Sequence, residues 1–142
     1  MDQFPDRLVA PAAVTITDET DLIEVRRVLR AHARAAGLSL VEETKLITAG
    51  SELARNILVH AAGAGGRLHA EQVVGDRRSG VRATFIDAGP GIEDLDAALT
   101  DGFSTAGSLG LGLPGSRRLV DELTITSSSG SGTTVTIVKW RR

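Results

Sequence analysis

The sequence predicts an α/β sandwich, with a mixed, mostly antiparallel sheet carrying helices on one face. Three observations predict it. Two helical stretches with apolar stripes fill residues 17–60. Two pairs of apolar runs, each joined by a polar turn rich in Gly and Ser, read as hairpins at 68–86 and 123–140. Helices and hairpins are interspersed rather than segregated, which suits two packed layers.

The elements follow in order. Residues 1–13 read as a lead-in and 14–142 as one domain, with Val14-Thr15-Ile16 an edge strand. Thr17 or Asp18 is placed to cap a helix that runs to about Ala36, with Leu22, Val25, Leu29 and Ala36 near one face; Gly37 stops it. Ser39-Leu40-Val41-Glu42 is a capping box, in which hydroxyl and carboxylate each bond the other residue's free N–H, so the next helix starts near Leu40 and runs to about His60. The glycine-rich stretch 61–66 breaks it. Leu68–Val74, a polar turn Gly75–Gly80 and Val81–Ile86 form the first predicted hairpin. A short helix is predicted over Leu95–Leu99, a loop of glycine and small polar residues over Gly102–Gly112, and a helix opening at Leu113-Pro114 and ending near Asp121. Leu123–Thr126 and Thr133–Trp140 close the chain as the second hairpin.

Bulk composition narrows the function classes. The 142 residues are 42% apolar and 24% charged, ordinary for a soluble globular protein with a real core. A net charge of -2 argues against a nucleic-acid groove and against an anionic membrane surface. There is no cysteine, so disulfides and thiolate metal sites are excluded, in keeping with a cytoplasmic setting. No apolar run reaches the ~18 residues of a membrane span, and the polar start, with Asp2, Pro5 and Asp6, does not read as a secretory signal.

Three segments carry chemistry. Asp87-Ala88-Gly89-Pro90-Gly91 follows an apolar strand. A carboxylate at a strand end can accept a hydrogen bond from an exocyclic amine such as that of adenine, and Gly89 and Gly91 let the backbone approach a flat ligand. Alone, the same residues fit an ordinary turn. Upstream, Glu52 and Asn56 stand one helical turn apart, with Cβ atoms roughly 5–6 Å from each other. They lie away from the apolar arc of Leu46, Ile47, Leu53, Ala54, Ile57 and Leu58. The pair suits a hydrated cation on the amide oxygen with a proton acceptor beside it; taken alone, it fits the ordinary solvated face shared with Lys45 and Arg55 better. Downstream, Gly107, Gly110 and Gly112 precede a helix, where backbone N–H groups can hold an anion. A P-loop would require a lysine after its last glycine, and the only lysines are Lys45 and Lys139. A Rossmann turn would come between a first strand and a first helix, not this late. His32, His60 and His69 are scattered and suggest neither a metal set nor a triad.

Together these segments resemble the Bergerat-fold (GHKL) ATPases, the superfamily of gyrase, Hsp90, histidine kinases and MutL. Ser51-Glu52-Leu53-Ala54-Arg55-Asn56, Asp87–Gly91, Asp101-Gly102-Phe103-Ser104-Thr105, Gly110–Gly115 and the closing Lys139-Trp140 look like the switch serine/threonine kinases of the bacterial stress-response pathway, over about residues 14–142. The resemblance implies ATP and Mg2+ as cofactors, with Asn56 on the magnesium and Glu52 as the base. It implies Asp87 on the adenine amine, Gly91 against the ring and Thr133 close by. Gly107, Gly110, Leu111 and Gly112 would form a lid around the phosphates. It further implies transfer to a serine or threonine of a STAS-domain antagonist protein, followed by a switch of partner to a PP2C-type phosphatase or a sigma-factor pathway. The alternative is an anti-sigma factor or nucleotide-gated binding switch with little kinase activity; an intact Glu52 argues against it, since a pure binder has no need of a base. Related anti-sigma kinases often carry a basic residue in the lid; residues 102–116 contain none, leaving Arg55 and Arg117 as candidate cations for the γ-phosphate. A histidine kinase would need a helical domain bearing its phospho-accepting histidine, and this length leaves no room for one.

Overall fold

The computed structural model describes residues 9–60, 63–89, 113–127 and 132–142. Among them are five strands and three helices: β1 (Ala12–Ile16), α1 (Asp21–Ala35), α2 (Leu40–His60), β2 (Gly66–Gly75), β3 (Arg78–Asp87), α3 (Leu113–Leu119), β4 (Glu122–Ser127) and β5 (Thr133–Trp140). The sheet order is β1-β2-β3-β5-β4 and every pairing is antiparallel. The expected Leu95–Leu99 helix and the Gly102–Gly112 loop lie outside the described residues.

Strand alternation decides which face the helices cover. Leu68 and Ala70 on β2, Val81, Ala83 and Phe85 on β3, and Val135 and Ile137 on β5 join Leu22, Val25 and Leu29 of α1 and Leu46, Leu53 and Ile57 of α2 in one core. The intervening residues, such as Arg67, His69 and Arg82, look outward. Ser39 N–H donates to Glu42 Oε1 at 2.9 Å and Glu42 N–H donates to Ser39 Oγ at 3.1 Å, so the capping box forms as read. Gly37 has φ +81°, and its N–H and that of Leu38 close the end of α1 onto Arg34 and Ala33 carbonyls.

Several boundaries differ from expectation: β1 and β2 begin two residues early, at Ala12 and Gly66, β4 is one residue longer at each end, and two further differences have a visible cause. The first helix begins at Asp21 rather than after a Thr17 or Asp18 cap; the Asp21 carboxylate itself accepts the N–H groups of Thr17 and Asp18, at 2.8 and 3.1 Å. The first hairpin turns on two residues, Asp76 and Arg77, at φ 48° and 62°. The strands therefore extend through Gly75 and Gly80, which were expected in the turn. Both glycines lie under Trp140: a Cβ on Gly75 would stand 2.9 Å from the indole and one on Gly80 would stand 2.8 Å from it.

Candidate functional site

A cleft opens between α2 and the sheet, lined by Leu53, Asn56, Ile57 and His60 of α2, Phe85 and Asp87 of β3, Leu113 of α3, Ile125 of β4, and Thr133 and Val135 of β5. Asn56 and Asp87, 31 positions apart in the sequence, share this lining. The helix brings Asn56 in because Leu53 and Ile57, one turn before it and one residue after it, are buried at 2% and 4% exposure. Asn56 was expected on the side away from the apolar arc; it sits on the flank of that arc, turned to the cleft. The wall is mostly apolar with a few polar groups, the usual make-up of a site for a flat organic ligand.

Asp87 is the last residue of β3 and pairs with Gly66 on one side and Thr133 on the other. Its Oδ1 accepts the Gly89 N–H at 2.8 Å, a short Asx turn that fixes the carboxylate. Two glycines make the backbone packing around it possible. A Cβ on Gly66 would meet the Ile86 carbonyl at 2.3 Å, and one on Gly132, at φ +83°, would meet the Asp87 carbonyl at 2.3 Å. Thr133 is held by its neighbour across the strand pair, its hydroxyl 2.9 Å from Ser127 Oγ.

Glu52 does not line the cleft. It is exposed on α2, one turn before Asn56. Beside it, Ser51 Oγ accepts a hydrogen bond from Arg26 Nε of α1 at 3.1 Å. Of the two cations proposed for a phosphate, Arg55 pairs with Glu19 at 3.5 Å and Arg117 is exposed on α3. Gly91, Gly107, Gly110, Leu111 and Gly112 lie outside the described residues. Among those described, no three His, Cys, Asp or Glu side chains gather as a metal site. The oxygen donors in the lining are the Asn56 amide, the Asp87 carboxylate and the Thr133 hydroxyl, and magnesium, which keeps several waters and takes further ligands from phosphates, needs few such protein donors.

His60 was read as unremarkable and is a wall of the cleft. Burial holds its imidazole below the ordinary value of 6.5, while the nearby Asp87 carboxylate pulls the other way. The signal was available: His60 stands four residues beyond Asn56 and eight beyond Glu52, on one stripe of α2. Gly66 and Gly132 were missed as well, because their role depends on which strands flank Asp87.

Comparison with known proteins bears on the fold and the family. The family described as "Histidine kinase-like ATPase domain" matches residues 16–139. The chain is 40% identical over 131 residues to the serine/threonine-protein kinase RsbT of Bacillus subtilis (strain 168), covering 92% of this chain and 97% of that one.

Proposed function

The chain belongs to the histidine kinase-like ATPase domain family, and from that premise we propose that it is an ATP-dependent serine/threonine-protein kinase. Its proposed substrate is a STAS-domain antagonist protein. Its proposed output is a change of partner that regulates a PP2C-type phosphatase or a sigma-factor pathway, in the cytoplasm. The similarity to RsbT supports the activity. No helix among the described residues is long and apolar enough to cross a membrane.

The observation that carries the reading is the shared cleft of Asn56 and Asp87, with Glu52 exposed one helical turn before Asn56. In this reading Asp87 accepts a hydrogen bond from the adenine amine, with Gly89 and Gly91 admitting the ring and Thr133 beside it. Phe85, Val135 and Ile125 supply the apolar wall against which a base desolvates. Asn56 would hold Mg2+, which when bound neutralises charge on the phosphates. Gly107, Gly110, Leu111 and Gly112 are proposed to close around those phosphates with their amides. Glu52 orients the incoming hydroxyl and takes its proton. Phosphoryl transfer demands alignment and charge stabilisation more than covalent help from the protein.

The direct test incubates the protein with γ-labelled ATP, Mg2+ and a purified STAS-domain protein, and reads label on serine or threonine. Transfer is expected. ATP binding without transfer would sink the kinase reading in favour of a nucleotide-gated switch; no ATP binding would sink both.

A further inference from the structure

The cleft is built at one end of β5, and a buried charge cluster is built at the other. Lys139 on β5 is 2% exposed. It is on the same face as Val135 and Ile137, toward the helix layer. Its Nζ lies 3.7 Å from Asp121 Oδ1, and the Asp121 side chain is itself only 17% exposed.

Asp121 is tied in from several directions. Its Oδ2 accepts the Trp140 N–H at 2.7 Å, and its own N–H donates to the Val138 carbonyl at 2.9 Å. Arg142 also pairs with Asp121 and reaches Glu42 at 3.5 Å, joining the cluster to the capping box of α2. A buried ion pair of this kind is weak evidence for stability, since apolar residues of similar volume do as well or better there. What an ion pair does supply is one geometry, where apolar contacts allow sliding.

The placement of Asp121 gives that geometry a use. It stands two residues beyond the end of α3, and α3 begins with Leu113, a wall of the cleft. At about 1.5 Å per residue, the seven residues of α3 span only ~10 Å, so a shift at its far end is felt at its start. Thr133 and Val135, which also line the cleft, are on the same strand as Lys139. We infer that Lys139 and Asp121 are a positioning pair, anchoring the chain just beyond the end of α3 to β5 so that Leu113 is set relative to Thr133 and Asp87 for a nucleotide base. This rests on the proposed nucleotide site.

The test measures ADP affinity by calorimetry at a temperature where circular dichroism shows every variant folded. Lys139→Met keeps the apolar stem and leaves Asp121 with Arg142 and the Trp140 N–H. It is expected to keep or raise the Tm while weakening ADP binding about tenfold, the equivalent of one mis-set hydrogen bond. Val14→Ala, in β1, is the control for stability alone: it should lower the Tm and leave the affinity per folded molecule unchanged. Lys139→Met binding ADP within twofold of wild type overturns the inference. Should that variant not fold, Asp121→Asn is judged by the same criterion, and failure of both to fold makes the pair structural and overturns it too. Wild-type protein that does not bind ADP is a separate failure, that of the nucleotide site itself.

Discussion

Asp87→Asn is the sharpest probe of the cleft. The change is nearly isosteric. The side-chain oxygen can still accept the Gly89 N–H, now 2.8 Å from Oδ1, so the turn should survive and the fold with it. The second carboxylate oxygen becomes an NH2. Where an adenine amine needs an acceptor it meets a donor, and one buried polar group is left unpaired on each side. Removing one partner of a buried hydrogen bond costs about 1–3 kcal/mol. That converts to a loss of roughly 5- to 150-fold in nucleotide affinity. The neighbourhood offers little relief: Thr133 is already engaged with Ser127, and the Gly66 and Gly132 contacts hold the backbone against a shift. Calorimetric titration of wild type and Asp87→Asn with ADP reads the effect, with a urea melt to show that stability is unchanged. A variant that binds ADP within twofold of wild type refutes the assignment of Asp87 to the base.

Glu52→Ala should leave ADP affinity near wild type, because Glu52 is outside the cleft lining, while lowering phosphoryl transfer about 10²–10⁴-fold; a wild-type transfer rate removes it as the base. Gly50→Ala sets a helix-propensity gain of about 1 kcal/mol against overpacking of about 1–3 kcal/mol. Its Cβ would fall 2.3 Å from Cδ1 of the fully buried Leu29, so we expect a net loss in urea denaturation. His60 predicts a pH dependence. Its folded-state pKa is lowered, so the unfolded chain binds its proton more readily, and stability present above pH 6.5 is lost as pH falls through the folded-state value. The Tm of wild type should therefore drop more than that of His60→Gln between pH 7.5 and pH 5.5, and parallel curves would contradict this.

Much of the fold was legible because local chemistry decides it. The Ser39–Glu42 box marks the start of α2, and Thr133–Trp140 was read with the bounds it has. The first hairpin was misread because an Asp-Arg pair does not advertise a turn with two positive φ angles, a conformation in which glycine is the common signal. Gly75 and Gly80 drew the reading to themselves, whereas their reason is Trp140, a contact made only once β3 and β5 pair. The candidate site divides the same way. Glu52, Asn56 and Asp87 stand out by residue type and spacing. That Asn56 and Asp87 line one cleft, that Glu52 stays outside its lining, and that His60 joins them all depend on how α2 crosses the sheet, which no local pattern encodes.

The stripe of Glu52, Asn56 and His60 also bears on the kind of reaction. Successive members are four residues apart, about 6 Å along the axis and ~40° around it. Over two steps the stripe rotates by ~80°, which carries it from open solvent at Glu52 into the cleft at Asn56 and His60, beside Asp87. In the proposed reading, α2 and the end of β3 together sort these groups by the solvation each task would require. A base-binding carboxylate gains from a water-poor wall, where an unmet donor is costly. A proton acceptor that serves a hydroxyl on another protein has to reach the surface, because a folded partner cannot enter the cleft. An enzyme that only hydrolysed its nucleotide would gain by holding its base, and the attacking water, inside. In the proposed reading, with Glu52 as the base, its exposure favours a macromolecular acceptor over water.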